Sequence, residues 1–211
     1  MSTTDEELDG LAQYSAKPFT PEHPYFADAE QHLAWAWPNL VWPTISDCDF
    51  TAVIDLAAGH GRNCTELRKV AEHILVLDIQ PGNVDVCRER FAGDPKFEFA
   101  VNNGYDLRPA GDADYTLVYC FDAMVHFHRD VIKAYLVDTL RVLKPGGHGF
   151  FHHSNYTGSD DWWTAPGNRA YMSKDLFAEY AREAGLEVVS QRVIDWGDPE
   201  HDCLTLVRRP A

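Results

Sequence analysis

The sequence predicts an α/β fold: a doubly wound seven-stranded sheet with helices on both faces and an N-terminal helical cap. Three observations carry that prediction. Thr51-Ala-Val-Ile-Asp55-Leu is an apolar run that enters the small-residue turn Ala57-Ala-Gly59-His-Gly61, where glycine permits positive φ and close approach of a ligand. His73-Ile-Leu-Val-Leu-Asp78 is a second apolar run, ending in an acid placed to meet a ribose. Beyond these, apolar runs and helical patterns alternate to the end of the chain.

The elements follow in order. Residues 1–20 are acidic and then proline-bearing, and are expected to be mobile or loosely docked. Residues 25–37 have helical spacing that Pro38 should end, and Trp42-Pro43 follows. Strands are expected at 51–56, 73–78, 97–101, 115–120 and 148–153, with helices at 62–71, 82–91 and 129–143. A loop rich in Gly, Asp and Trp spans 154–172. Ser173 is the N-cap candidate of a helix running to Ala184, with Gly185 as its stop. The alternating runs 186–194 and 202–208 read as a hairpin-type pair closing the sheet. The whole, 1–211, is expected to be a single domain in which 1–48 caps a core of 49–211.

Composition narrows the function. At 211 residues, with 45% hydrophobic and 24% charged, the chain can bury one full core. A net charge of -15 disfavours a nucleic-acid partner, because that binding rests on lysine and arginine neutralising phosphates. There is neither an apolar run of membrane-spanning length nor a signal-like N-terminus, so no membrane partner and a cytoplasmic location are expected. Five scattered cysteines without a C-x-x-C pair argue against a disulfide framework or a zinc site.

The turn distinguishes between two cofactor classes. Dinucleotide enzymes use G-x-G-x-x-G, whereas here the frame is Gly59-x-Gly61-x-x-Cys64. The pattern Asp55-x-Ala57-x-Gly59-x-Gly61 resembles motif I of the class I S-adenosylmethionine-dependent methyltransferases, a Rossmann-like family, with Ala57 at the family's first glycine. The resemblance continues through Asp78, Asn103-Gly-Tyr-Asp106, the run Tyr115 to Asp122, and Leu143-Lys-Pro145-Gly146-Gly147, covering roughly residues 50 to 209. It implies transfer of a methyl group from S-adenosylmethionine (EC 2.1.1), with Asp55, Ala57, Gly59, Gly61, Asn63, Asp78, Ile79, Asn103 and Gly104 around the cofactor and Cys120 near its methionine end. For Asn103 a plain Asn-Asn-Gly turn is the alternative, and for Cys120 a core position.

Candidates for a general base gather at the carboxyl ends of the fourth and fifth strands, where doubly wound folds place ligands: Asp122, His126, His152 and His153. Histidine titrates near neutrality and suits removal of a hydroxyl proton. Strand alternation allows only one of His152 and His153 to face the cleft directly. Asp122, His126 and His153 could also form a divalent-cation site, for instance for magnesium. Otherwise these histidines bond one another and the backbone.

The stretches Phe121 to Phe127, Phe151 to Tyr156 and Asn168 to Ser173 are similar to bacterial sugar O-methyltransferases, including those of methylmannose polysaccharide synthesis. That similarity implies a sugar or short oligosaccharide acceptor, a mannoside first, held by Asp122, His126, His152, His153, Asn155 and Tyr156. A homodimer is also implied. Trp163 offers an aromatic wall and Arg169 a local positive charge. The competing readings are a methyltransferase for another small acceptor (phosphonate, carboxylate or amine) and a non-catalytic S-adenosylmethionine-binding protein.

Overall fold

The structure, a computed structural model, describes residues 3–211. Its sheet has seven strands: β1 (Ala52–Leu56), β2 (His73–Asp78), β3 (Phe97–Val101), β4 (Tyr115–Cys120), β5 (Leu143–Ser154), β6 (Glu187–Trp196) and β7 (Asp198–Arg208). The spatial order is β3-β2-β1-β4-β5-β7-β6. Strands β1 to β5 are mutually parallel, and β7 runs against both β5 and β6. The final hairpin closes the sheet as its alternating pattern predicts, with β7 as the inner strand.

Parallel strands buried on both faces read as continuous apolar runs, and alternate residues divide them between two layers. Ile54, Leu56, Leu75, Leu77, Val118 and Phe151 face one layer. There they meet α1 (Asp5–Ala16), α6 (Arg129–Val142) and α7 (Lys174–Glu183). Val53, Ile74, Val76, Leu117, Tyr119 and Phe150 face the other. That layer holds the end of α2 (Tyr25–Ala36) with α3 (Trp42–Ile45), α4 (Cys64–Leu67) and α5 (Pro81–Arg90). Helices therefore cover both faces.

Three details depart from the sequence reading. Residues 5–16 form a docked helix rather than a loose tail. Thr4 and Glu7 close a reciprocal capping box, and Leu8, Ala12 and Ser15 are buried. The T-x-x-E spacing is a legible start signal. Pro38 does not stop the second helix, because the chain widens into a π turn over Trp37–Val41 with the proline in its first turn, where a missing N–H costs little. The helix expected over 62–71 shrinks to Cys64–Leu67 followed by turns.

Candidate active site

The carboxyl ends of β1, β2 and β4 open onto a cleft of about 720 Å³. Its floor is the turn after β1: Ala57 and Gly59 both take positive φ, 55° each. A Cβ on Gly59 would stand 2.5 Å from Phe26, whose ring stacks on His60 at 4.0 Å. Only glycine fits under that ring. Asp78, at the end of β2, accepts from the Gly59 N–H at 2.8 Å and from the Gln80 N–H at 2.9 Å. Burial raises its carboxyl, and these donors oppose the shift. The roof is N-terminal, made of Ser15, Ala16, Phe19, Tyr25, Phe26, Ala29 and Glu30.

Of the residues assigned to a cofactor from sequence, Ala57, Gly59, Asn63, Asp78 and Ile79 line this cleft. Gly104 lines an adjoining cavity of about 300 Å³ together with Ala57, Ile79 and Asn102. Asp55, Gly61, Asn103 and Cys120 lie outside both linings. Asp55 accepts from the Cys64 thiol at 3.0 Å, and burial pushes its carboxyl up to about 7. Gly61 faces Phe91 and Cys87. Asn103 closes a turn onto Tyr105 and Asp106, using both its amide oxygen and nitrogen. Cys120 is fully buried in the core.

Several buried polar atoms around the two cavities lack a partner: His60 Nε2, Asn63 Oδ1, Asn83 Oδ1 and Asn102 Oδ1. A buried polar atom left unpaired costs free energy. These atoms, the glycine floor and the acid at the end of β2 fit a nucleoside with a polar tail.

A second, more open cleft of about 1510 Å³ adjoins the first. Phe19, Tyr25, Asp122 and His126 line both. Asp122 has φ 59° and is 9% exposed. Its carboxylate accepts from Arg62 at 2.6 Å, from the Tyr25 hydroxyl at 2.5 Å and from Trp196 Nε1 at 3.0 Å. Burial alone would raise this carboxyl; Arg62 first, then His152 and the Tyr25 hydroxyl, outweigh it and hold it below its ordinary value. A carboxylate with three donors is a poor base.

The histidines separate by what they bond. His152 Nδ1 accepts from the Asp122 N–H at 3.2 Å, so its Nε2–H donates to Asp202 at 2.9 Å. Asp202 is held in turn by Arg169 at 2.7 and 2.8 Å. His153 points to the other face of β5, stacks on Phe177 at 4.0 Å, and contacts the Ser154 carbonyl and Thr205 hydroxyl, both at 2.8 Å. His126 donates Nδ1–H to the Asn168 carbonyl at 2.7 Å. Its Nε2, the basic nitrogen in that tautomer, has no hydrogen-bond partner among the described residues. Packing against Phe19 and Trp162 buries the ring and pushes it down to about 4.

The alternative of a divalent-cation site at Asp122, His126 and His153 is corrected here. No group of three His, Cys, Asp or Glu side chains able to hold a metal ion occurs among the described residues. His153 lies on the far side of the sheet strand with both nitrogens engaged, and Asp122 is already saturated. Nor do all the proposed acceptor residues converge. Trp163 and Arg169 line the larger cleft, but Asn155 braces Glu200 and Lys174, and Tyr156 pairs with Tyr171. Sequence reasoning did not single out Phe19, Tyr25, Asn102, Trp196 or Asp202. Four of them are remote in sequence from the motifs whose side chains they touch, and the fifth, Asn102, was concealed by the Asn-Asn pair.

Residues 53–147 match the methyltransferase domain family. Among curated proteins, a demethylmenaquinone methyltransferase of Clavibacter sepedonicus is 35% identical over 97 residues, 45% of this chain and 38% of that one. The methyltransferase nsrG of Aspergillus novofumigatus is 27% identical over 111 residues, 50% of this chain and 42% of that one. The chain thus spans less than half the length of these curated relatives. Among solved structures, an S-adenosylmethionine dependent methyltransferase from Mesorhizobium loti has TM-score 0.69 at 17% identity, covering 82% of this chain and 97% of its own. A chain of the complex between the Haloferax volcanii Trm112 methyltransferase activator and its methyltransferase partner has TM-score 0.69 at 19% identity, covering 95% and 98%. The [4+2]-cyclase SpnF has TM-score 0.66 at 15% identity, covering 82% and 79%. The fold is that of the class I S-adenosylmethionine-dependent methyltransferases. Within it, the similarity to the methyltransferase domain family is carried by residues 53–147, a little under half of the chain.

Proposed function

We propose that this protein is an S-adenosylmethionine-dependent O-methyltransferase acting on a hydroxyl of a small uncharged acceptor, with His126 as general base. The observation that carries the reading is the junction of the two clefts, where the lone pair of His126 Nε2 is uncommitted beside Asp122 and Tyr25. Asp78, Asn63 and Asn83 would hold the ribose and polar tail of the cofactor, and Asn102 Oδ1, rather than Asn103, would accept from its adenine amino group. When bound, S-adenosylmethionine would supply an electrophilic methyl group. The chain's own task is then to align the acceptor, exclude water and take up one proton. Alignment supplies on the order of 7 to 11 kcal/mol and a positioned base roughly 10² to 10⁴-fold.

A sugar hydroxyl, expected from the resemblance to polysaccharide-building enzymes, meets these requirements in outline, and so does a phenolic one. A role that does not transfer methyl is the second reading, since the same fold occurs in a [4+2]-cyclase. Transfer of labelled methyl from S-adenosylmethionine to a panel of hydroxyl, amine and carboxylate acceptors, with and without EDTA, tests the proposal. The expected result is label on hydroxyl acceptors, unaffected by EDTA, that falls about 10² to 10⁴-fold in His126→Ala while S-adenosylhomocysteine affinity is unchanged. Undiminished turnover in His126→Ala would remove the base from the proposal, and retained cofactor binding with no turnover on any acceptor would favour the second reading.

A further inference from the structure

We infer that the larger cleft takes an uncharged hydroxylated aromatic ring, a phenol or a naphthol, in preference to a sugar or an anion; the inference rests on the O-methyltransferase reading above. The first ground is the lining. Phe19, His126 and Trp162 are in series, with Phe19 stacked on His126 at 5.1 Å and on Trp162 at 6.5 Å. Trp35 and Trp196 form a second pair at 6.4 Å. Trp35 is 56% exposed and Trp163 43%. Indole rings left open to water inside a cleft gain most from a flat apolar partner that stacks on them.

The second ground is charge. The two arginines nearest the junction are already neutralised. Arg62 is bound to Asp122, Tyr25 and the Ala29 carbonyl, and Arg169 holds both oxygens of Asp202. An acceptor carboxylate or phosphonate would have to displace a buried carboxylate to gain a cation, which leaves that carboxylate unpaired.

The third ground is the polar inventory at the junction. The Tyr25 hydroxyl and the Asp122 carboxylate are committed to each other and to Arg62 and Trp196, and the Asn168 carbonyl to His126. At the junction one free acceptor, His126 Nε2, with the unpartnered Trp162 Nε1 in the ring packed against it, matches one hydroxyl, and the other uncommitted polar side chains of the cleft, Gln31, His32 and Asp198, are exposed to water. A sugar would bring several, each needing a partner on desolvation. The chemistry agrees: burial makes the His126 imidazole a weaker base, and a phenol, which ionises near ~10 as tyrosine does, asks far less of it than an alkyl hydroxyl would. The phenolic O–H gives its proton to Nε2, the oxygen forms a bond to the methyl carbon, and the sulfonium sulfur keeps the electrons of the broken S–C bond and leaves as a neutral thioether. The proton passes to solvent.

The test uses the full chain with S-adenosylhomocysteine bound and three probes: a hydroxynaphthalene, a methyl mannoside and a hydroxynaphthoate. Calorimetry and tryptophan emission should show the hydroxynaphthalene binding at least about tenfold more tightly than either other probe. In Trp35→Ala its affinity should fall about tenfold with S-adenosylhomocysteine affinity unchanged. With labelled S-adenosylmethionine it should be methylated on oxygen. A mannoside bound or labelled as well as the hydroxynaphthalene, or a tighter-binding naphthoate, overturns the inference and leaves the O-methyltransferase reading standing. Label on no hydroxyl while the cofactor still binds overturns both.

Discussion

Asp122 is a non-glycine residue held in the left-handed region at the end of a central strand, with its carboxylate buried against Arg62. Such a conformation costs of order 1–3 kcal/mol and persists where surrounding contacts over-determine it; here Arg62, Tyr25 and Trp196 do so. Removing the carboxylate in Asp122→Ala strands the Arg62 charge, so chemical denaturation should show a loss of about 3–5 kcal/mol. A loss below 1 kcal/mol would mean that Arg62 finds another anion or water. Ala57 has the same backbone problem without the same support. It holds φ 55° where the family it resembles has glycine. Left-handed backbone costs an L-residue roughly 1–2 kcal/mol, offset in part by the entropy that glycine loses. Ala57→Gly should therefore raise Tm by about 2–4 °C, as expected for about 1 kcal/mol in a chain of this size, and calorimetry that finds no rise would show the turn to be unstrained.

The elements differ in what holds them. The inner strands β1, β2 and β4 are buried on both faces, whereas α1 is attached through a narrow apolar edge, Leu8 and Ala12, and a few polar contacts. Gln80 donates its side chain to the Ala16 carbonyl, and Asn83 bridges the Phe19 carbonyl and Asp78. The segment that roofs the first cleft is thus tied to the acid beneath it. Elements with few buried contacts open most readily, and a ligand that binds the closed state suppresses that opening. Hydrogen exchange of residues 5–16 should slow on adding S-adenosylhomocysteine while exchange in β4 and β5 stays as it was. Equal slowing everywhere, or none in α1, would separate this helix from the cofactor site.

Across the molecule, titration is dominated by histidines that the fold buries wholly, as His153, or in part, as His60, His126, His128 and His148. Burial pushes His126 down to about 4 and His153 to about 3, and also lowers His60, His128 and His148. A histidine depressed in the folded state favours folding above its unfolded value near ~6.5, and that contribution is lost as pH falls toward the folded value. Two buried carboxyls act oppositely: Asp55, raised to about 7, and Asp78, raised in the same direction, favour folding below the ordinary carboxylate range and lose that contribution as pH rises through their folded values. Five depressed histidines outweigh two raised carboxyls, so stability should increase with pH between about 4 and 6.5. A urea midpoint higher at pH 5 than at pH 7 would contradict this balance.

Much of this architecture was legible in the residues. Apolar runs announce strands buried on both faces because few polar residues interrupt them, as in β1, β2 and β4, and β1 to β4 fall close to where the sequence places them. The small-residue turn at 57–61 and the acid at 78 are local signals, since glycine and a strand-end carboxylate state their own geometry. The helix at 5–16 also had its signal in Thr4 and Glu7, hidden behind an acidic composition. Other features depended on contacts far along the chain. Tyr25 reaches Asp122 across 97 positions, and His152 reaches Asp202 across 50. No periodicity encodes such pairings, which arise when β7 inserts beside β5 and the N-terminal segment folds over the cleft. They decide which histidine keeps a free lone pair and which arginine keeps a free charge. Sequence order therefore sets the strands, the turn and the cofactor class they resemble, because those are properties of neighbouring residues. The proposed base and the character of the larger cleft were decided in three dimensions, because protonation and charge depend on what surrounds a group in space.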